Sequence, residues 1–353
     1  MENDALRRYR VFWDREDTDR PVLHITVPYF HKTERWEAIR PKSTQEEWED
    51  VEARYNLSLY RTKNSSYFAE GFSTERAFLG SVCLAGMMGC DYKFDSYTVW
   101  FGLQDNIIKD WCDFDRIKLD KNSPLFVLAK DLFEIFSKNY DGQYRIGMTD
   151  LGGNCDILSP LRGTQNLLLD LIEYPDEVKK AIAVTDKFFE EVYNYYYDII
   201  TSSGQNGISS WMGIWCDKKY FPLQCDFAAM ISPDSFYEFI VPSLERACAF
   251  LDHSIFHLDG PEMLFHIDHL LSIEGLSGIQ WVPGDGNPPA WNEKWFPLYH
   301  KIQAANKNLV LLDINNADNI VRLSEELSPK GLFISANLAT KEEALELMKK
   351  MKI

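Results

Sequence analysis

Residues 254–286 constrain the fold of this chain more than any other segment. The segment begins with an apolar run, SIFHLD, and breaks at Gly260-Pro261. An amphipathic stretch follows, and then a second apolar run, GIQWV, ends at Pro283-Gly284. This order predicts a strand, a loop, a helix and a second strand. Proteins built from parallel strands and helices bind ligands at the carboxyl ends of the strands, so we expect chemistry where these two runs end.

Similar apolar runs recur along the chain and alternate with helical patterns. Eight predicted strands lie at 21–27, 80–87, 144–149, 207–213, 253–258, 278–283, 308–314 and 331–335. The clearest predicted helices lie at 175–202, 233–251, 290–305, 317–327 and 340–351. Eight strands alternating with helices predict a (β/α)₈ TIM barrel, formed by one domain over residues 1–353. The long intervals 28–79 and 88–143 predict extra N-terminal helices and loops over the barrel mouth.

Composition excludes several classes of partner. The chain has 353 residues, 45% of them hydrophobic, and a formal net charge of −17. That charge argues against nucleic acid or an anionic membrane as partner, because either would be repelled. The amino terminus lacks a signal-peptide core, and no stretch of about 18 apolar residues could cross a bilayer. Seven scattered cysteines form no CxxC pair. We therefore expect a cytoplasmic protein that acts on a small molecule.

Polar and aromatic side chains lie at the predicted strand exits, where a barrel would bring them together. We take Asp150, His257 and Asp259 as the catalytic candidates. The substrate-binding candidates are His24, Asn154, Trp211, Trp215, Gln280, Trp281 and Asn337. Other polar or aromatic residues at these exits are Tyr29, Asp156, Asp313, Asn315, Asn316 and Ser335.

His257 and Asp259 could be two ligands of a divalent metal. They are two residues apart on a strand, so both side chains lie on one face, and imidazole and carboxylate both suit zinc. Cys216 is our candidate for the third ligand, with Cys225, Asp226 and Glu262 as further possibilities. The alternative is structural: His257 donates to a backbone carbonyl, and Asp259 caps the helix that follows.

Two further features allow a functional and a structural interpretation. Asp150 precedes Gly152-Gly153, which would let a ligand approach the backbone, so its carboxylate could act as acid, base or cation partner. It could equally be the hydrogen-bonding residue of a simple turn. The tryptophans could wall a pocket for a flat or apolar ligand, or they could pack in the core.

Three segments resemble the uroporphyrinogen decarboxylase superfamily. They are RGTQNLLLDLIEYPDEVKKAI (162–182), CDFAAMISPDSFYEFIVPSLE (225–245) and HLDGPEMLFHIDHLL…IQWVPG (257–284). The similarity spans roughly residues 140 to 350, with RPVL at 20–23 as a matching first strand. This superfamily includes decarboxylases and cobalamin-dependent methyltransferases. The resemblance implies a (β/α)₈ barrel, and the family includes homodimers.

The chain departs from both branches of that superfamily. The decarboxylases carry an arginine-rich RQAGR segment after the first strand, whereas this chain reads HITVPYFHK and has no arginine there before Arg35. The methyltransferases hold zinc on a His-x-Cys pair and a later cysteine. Here His257 matches the histidine, Asp259 replaces the cysteine, and the last strand, FISANLAT, has none. The resemblance thus implies zinc on a harder ligand set.

These observations leave three functional expectations. The first is a methyltransferase-like enzyme with zinc as its metal and a corrinoid carried by a partner protein. The second is a decarboxylase, acting on uroporphyrinogen or on a non-porphyrin acid, with Arg145 and Arg162 as candidate cations in the mouth. The third is a barrel that binds a ligand and has lost the reaction.

Overall fold

A central parallel sheet dominates the computed structural model, which describes residues 4–28, 41–104 and 106–353. Within these residues the strands are β1 (Val22–Val27), β2 (Ser66–Ala69), β3 (Ser73–Arg76), β4 (Tyr92–Phe94), β5 (Val99–Phe101), β6 (Tyr144–Gly147), β7 (Tyr220–Leu223), β8 (His253–Asp259), β9 (Gly278–Val282), β10 (Asn308–Leu311) and β11 (Leu332–Asn337). The main sheet has the order β2-β1-β11-β10-β9-β8-β7. All neighbours in it are parallel except β2, which pairs antiparallel with β1.

Helices fill the connections between the strands. The α-helices of the described residues are α1 (Asp4–Trp13), α2 (Thr44–Glu49), α3 (Val51–Asn64), α4 (Cys83–Met87), α5 (Pro124–Lys138), α6 (Asn154–Arg162), α7 (Thr164–Glu173), α8 (Pro175–Ser202), α9 (Pro233–Ser235), α10 (Val241–Phe250), α11 (Ile267–Ser272), α12 (Phe296–Ala304), α13 (Ala317–Glu326) and α14 (Lys341–Lys350). A π-helical turn, Phe236–Ile240, joins α9 to α10. Short 3₁₀ helices lie at Trp111–Arg116, Asp226–Met230, Pro261–His266 and Glu293–Trp295.

Local sequence signals account for several helix starts. Pro175 occupies the first turn of α8, where its missing N–H costs nothing. Ser123 caps α5 by accepting from the Phe126 amide, and Thr340 caps α14 by accepting from the Glu343 amide. The starts of α8 and α14 agree with the positions expected from the sequence, whereas α5 lies in the interval 88–143, for which only unspecified extra helices and loops were expected.

The second predicted strand, 80–87, is wrong. Residues 83–87 form α4, whose five side-chain positions are all buried, and the strand of that region is β3 instead. An apolar run of this length fits a fully buried helix as well as a buried strand, because every face must be apolar in both cases. The region 207–213 contributes only isolated bridges, from Ser209 to Gly147 and from Ile208 to Cys216, and β7 follows it.

The described residues do not form one continuous hydrogen-bonded barrel. Strands β3 and β6 make a separate parallel pair, which the Gly147 to Ser209 bridge extends. Strands β4 and β5 form an antiparallel pair of their own. The structure is therefore a mixed α/β fold with a parallel central sheet and many helices.

Two buried cations fix the amino-terminal end of this sheet. Arg20 forms a two-pronged ion pair with Glu70, with nitrogen–oxygen distances of 2.6 and 2.8 Å, and Glu70 also accepts from the Leu23 amide. Lys307, before β10, donates to the carbonyls of Ile273 and Leu276. Each charge is buried with partners that satisfy it, which is the condition for burying a charge at low cost. No helix in the described ranges is both long and apolar enough to span a membrane.

Candidate metal centre and cleft

Five neighbouring strands end together at one edge of the central sheet, which we call the carboxyl edge. In the parallel register His257 of β8 lies opposite Gln280 of β9, and Thr26 of β1 lies opposite Asn337 of β11. The ends of β1 and of β8 to β11 therefore bring their last side chains to the same edge. Candidate residues from distant parts of the sequence meet there.

His257 is oriented by its neighbour on β9. Its Nδ1 forms a short hydrogen bond with Oε1 of Gln280. A side-chain amide oxygen can only accept, so Nδ1 is the donor in this bond and Nε2 is the nitrogen that remains for a ligand or metal. The ring of Trp211 packs edge-on against the imidazole, with ring centroids 5.2 Å apart and planes at 87°. Gln280 thus fixes the orientation of the His257 ring, as hydrogen-bond acceptors commonly do for metal-bound histidines.

The free nitrogen of His257 faces two carboxylates. Its Nε2 lies 3.9 Å from Oδ2 of Asp259. One ligand atom each from Asp226, His257 and Asp259 lie within 4.8 Å of one another. A metal ion needs at least three such ligands close together, and among the residues that the structure describes this is the one group of histidine, cysteine or carboxylate side chains that provides them. The side chains of His257 and Asp259 are 16% and 43% exposed, so the group is open to a ligand.

The structure does not show the alternative in which His257 donates to a backbone carbonyl and Asp259 caps the following helix. The 3₁₀ helix after β8 is capped by Gly260, with no side-chain cap bond, so Asp259 does not cap it. Gly260 has φ of 86°, a left-handed conformation that glycine adopts without strain and that turns the chain directly after Asp259. His257 bonds a side chain rather than a backbone carbonyl. Both side chains therefore remain available to the group of three.

Asp226 is held in place by groups beneath it. The carboxylate of Asp156 accepts from the backbone amides of Asp226 and Phe227, both at 2.9 Å. In the same turn the Ala228 carbonyl accepts from Nε2 of His266, 2.9 Å away, and the His266 ring stacks on Phe236. These contacts fix the turn that carries Asp226, so its side chain is presented to His257 and Asp259 by a rigid support.

Burial and mutual repulsion raise the pKa of several carboxyls here. The pKa of Asp259 is raised by burial and by the charges of Asp226 and Asp285, against the opposing effect of His257. Burial, with the charge of Asp226 second, raises the pKa of Asp156 to about 7. A bound cation would relieve this repulsion by offsetting the accumulated negative charge.

A cleft of about 530 Å³ opens beside this group. Trp211, Asp259, Gln280, Trp281 and Trp291 line it, along with the loop after β9. The indole nitrogens of Trp211 and Trp281 are buried and have no hydrogen-bond acceptor among the described residues. An unpaired buried donor is costly, so these two indoles are unusual among the residues around the cleft. The cleft combines aromatic walls with a few polar side chains, among them Asp259, Gln280 and Asp313, as small-molecule sites do.

A recess of about 170 Å³ shares Trp211 and Asp313 with the cleft and contains His24 and Asn337. Burial lowers the pKa of His24 to about 4, so its imidazole is neutral near pH 7. A side chain at Gly213 would contact that ring, with a Cβ only 3.2 Å from Cε1, so glycine gives His24 its space. Asn337 donates to Asp313, a residue with φ of 57° that the strand end holds in the left-handed region.

The remaining predicted residues do not join the cleft. Trp215 is fully buried against Tyr9 and donates to the Asn206 carbonyl. Cys216 is also fully buried, burial raises its pKa to about 12, and it is not part of the group of three. Asn154 is buried and donates to the Gln224 carbonyl.

Two other predicted positions stand apart. Asp150 is buried near the end of β6, where burial raises its pKa to about 7 against the opposing charge of Arg76. Tyr29 and Arg35 lie outside the described residues.

Sequence reasoning missed the role of Asp156 and left Asp226 as one of several third ligands. The signal for Asp226 was its place just before a helix start in a segment rich in small and apolar residues, which does not distinguish it from a cap. Arg162 pairs with Asp170 at 2.6 Å, and Arg145 donates to Tyr140 at 3.1 Å, and neither lines the cleft.

We compared the chain with family models, curated protein sequences and solved structures. No family model and no curated protein sequence matches this chain. Solved structures do match this chain. One of them is a methyltransferase from Methanosarcina mazei, with a TM-score of 0.57 over 98% of this chain and 97% of that one. The two sequences are 14% identical, so this likeness shows a shared fold.

Proposed function

We propose that this protein is a methyltransferase-like enzyme with a divalent metal held by Asp226, His257 and Asp259. The observation that carries the proposal is the convergence of these three ligand atoms beside an aromatic cleft. The fold shared with a methyltransferase supports it. We further propose that the sheet is part of a single-domain (β/α)₈ barrel of the uroporphyrinogen decarboxylase superfamily. The carboxyl edge would then be the barrel mouth, where such enzymes place their active sites.

The donor set suits a divalent metal. One imidazole and two carboxylates supply three protein ligands, the number that leaves a catalytic zinc with an open position. The bond from Nδ1 of His257 to Gln280 leaves Nε2 available to coordinate. Burial is the main cause of the raised pKa of Asp259, and the charges of Asp226 and Asp285 add to it, an addition that a cation would offset. This set is harder than one containing cysteine, so zinc, manganese and ferrous iron are all suited to it. A bound metal would act as a Lewis acid and lower the pKa of a coordinated thiol or water.

The chain's own residues would position the substrate. The rings of Trp211 and Trp281 would form walls against which the substrate packs. Gln280 would hold the His257 ring in one tautomer and one orientation. Asp150 lies outside the cleft, so we give it no contact with this substrate. His24 and Asn337 would bound the far side of the substrate in the adjoining recess.

Methyl transfer also implies partners and a location, which we keep as proposals. The methyl carrier would be a corrinoid on a separate protein, and the acceptor a small molecule. A homodimer and a cytoplasmic location are consistent with this function. Neither nucleic acid nor a membrane is expected as a partner, given the net charge of −17.

Metal content tests the proposal directly. The protein is purified without chelators, alongside His257→Ala, Asp226→Asn and a matched control, His300→Ala. His300 is half exposed and pairs with Glu326 on the surface, far from the candidate ligands in sequence. We expect about one metal per chain in the wild type and the control, and little in the two site variants. Absence of metal from the wild type after incubation with zinc, manganese and ferrous iron would refute the proposal.

A carboxy-lyase is the second candidate function. The observation that favours it is Asp150, a buried carboxyl with a pKa of about 7 whose charge is opposed by Arg76 at the end of β3. The metal-loaded protein can be mixed with methylcobalamin and a simple thiol while the cobalamin absorbance is followed. Thiol-dependent demethylation that is lost in His257→Ala supports methyl transfer. Its absence in protein that holds its metal favours the lyase or a barrel that only binds.

A further inference from the structure

A second cavity, of about 360 Å³, lies at the end of β3 beside α2 and α3. It shares no lining residue with the cleft. Three arginines line it, namely Arg54, Arg61 and Arg76, and we call it the arginine pocket. Aromatic side chains complete its walls, among them Trp48, Phe78 and Tyr97.

Arg76 is the unusual member of this pocket. None of the hydrogen bonds or ion pairs among the described residues involves its guanidinium, which lies over the ring of Phe78 at 4.8 Å. Burial lowers the pKa of Arg76, and the carboxylates of Asp150 and Glu75 oppose that effect from a distance. Arg76 is half-buried, so its five N–H donors have lost part of their water, and this is unfavourable when no acceptor replaces that water. The described residues of the pocket therefore supply no hydrogen-bond acceptor to this guanidinium.

Backbone carbonyls hold Arg54 in place, and none of its hydrogen bonds within the described residues is to a carboxylate that would neutralise its charge. Its two terminal nitrogens donate to the carbonyls of Trp48 and Phe78, at 3.0 and 2.8 Å. Its guanidinium lies 5.8 Å from the centre of the Trp48 ring. Carbonyl oxygens orient the group without cancelling its charge. Arg54 thus adds a fixed positive field to the pocket.

The acidic residues of the pocket do not replace the missing acceptor. Glu75 accepts from the hydroxyls of Thr62 and Ser73, at 2.7 and 3.0 Å. Those bonds hold its carboxylate toward α3 and the start of β3. Glu47 is exposed on α2. Neither glutamate is hydrogen-bonded to Arg76 in the part of the chain that the structure describes.

We propose that the arginine pocket binds the carboxylate or phosphate group of a small anionic ligand, with Arg76 as its main contact. The planar fork of an arginine matches the two oxygens of either group and forms strong charge-assisted bonds with them. The aromatic walls would contact the rest of the ligand. Arg76 ends its strand at the same end of the β3–β6 pair as Asp150. If the ligand is the substrate, a step that rests on the proposed function, that substrate is an acid.

Thermal unfolding in the presence of simple anions tests this binding site. Inorganic phosphate and malonate are compared with chloride at matched ionic strength, in a chelating buffer so that no metal contributes. The variants are Arg76→Met, Arg76→Lys and a control, Arg322→Met. Arg322 pairs with Glu293 on the surface and carries the same charge.

We expect malonate or phosphate to raise the melting temperature of the wild type and the control by at least about 2 °C. The anion that acts distinguishes a carboxylate site from a phosphate site. Arg76→Met should lose the response, and Arg76→Lys should need at least about tenfold more anion for the same response. Without anions, Arg76→Met should melt no lower than the wild type, because it removes a half-buried cation that has no hydrogen-bonded acceptor among the described residues.

Three results would overturn the proposal. They are equal responses of the wild type and Arg76→Met, no response of the wild type to either anion, and a lower melting temperature of Arg76→Met in chloride. The last would show that Arg76 stabilises the fold through its neighbours. None of these results depends on metal binding at His257, so failure of this proposal and failure of the metal proposal can be told apart.

Discussion

Replacing Asp150 with asparagine should change how the stability of the protein depends on pH. The carboxyl is 6% exposed, and burial raises its pKa from 3.8 to about 7. The folded state therefore binds this proton more tightly than the unfolded chain does. That contribution to stability is fully present below pH 3.8 and is lost as the pH rises through about 7.

The magnitude follows from the two pKa values. A tenfold change in proton affinity corresponds to about 1.4 kcal/mol, so the rise from 3.8 to about 7 makes ionised Asp150 cost about 4 kcal/mol at high pH. Asparagine has a similar shape and carries no charge. Its oxygen can still accept the weak bond from the Gly152 amide, 3.4 Å long in the native protein. As the pH rises from 5 to 8, the free energy of unfolding of Asp150→Asn should therefore increase by about 2–3 kcal/mol relative to that of the wild type.

Urea unfolding followed by tryptophan fluorescence at the two pH values measures this difference. The matched control is Asp131→Asn, which changes an exposed carboxylate on α5 that lies 3.6 Å from Lys130. The control should shift the free energy of unfolding by less than about 0.5 kcal/mol at both pH values. A free-energy difference between Asp150→Asn and the wild type that is the same at pH 5 and pH 8 would refute the reasoning, because it would mean that Asp150 does not change its proton affinity on folding.

Other residues give further predictions. Gln280→Leu should weaken metal binding about 10–100-fold by releasing the His257 ring, measured by competition with a chelator, and an unchanged affinity would contradict the role of Gln280. Cys216→Ala should leave metal content unchanged, because the thiol is buried outside the group of three; loss of metal would restore Cys216 as a ligand. Glu70→Gln should destabilise the fold by about 3–5 kcal/mol in urea unfolding, because it leaves Arg20 buried without its carboxylate; a loss below about 1 kcal/mol would argue against that ion pair.

Some of the candidate site could be predicted because it depends on local order. His257 and Asp259 are two residues apart on one strand, and Gln280 is on the next strand along the chain, so strand periodicity and parallel pairing bring all three to one edge. Trp211 and Trp281 were expected in a pocket and line the cleft. Each of these residues lies at or near the end of an apolar run, where the sequence predicts that a strand ends.

Residues on irregular segments could not be placed in this way. Asp226 belongs to a 3₁₀ turn whose position depends on the Asp156 carboxylate, 70 residues earlier in the chain. Cys216 and Trp215 lie after a predicted strand exit, but the chain turns back there, and Cys216 pairs with Ile208. No periodicity describes such a turn, so its direction cannot be read from the residues alone.

The sequence by itself determined the class of fold and the end of the sheet at which chemistry is expected. Alternating apolar runs and amphipathic stretches can bury their apolar faces together only as strands covered by helices, and parallel strands end on one side. Only the tertiary structure decided that Asp226 completes the group of His257 and Asp259 and that residues 83–87 are a buried helix. It also decided that the Arg76 guanidinium lies over Phe78 with no hydrogen-bonded acceptor in the described parts of the chain. These outcomes depend on contacts between segments far apart in the chain, whose free energies come from burial and charge in the folded protein and not from local conformational preference.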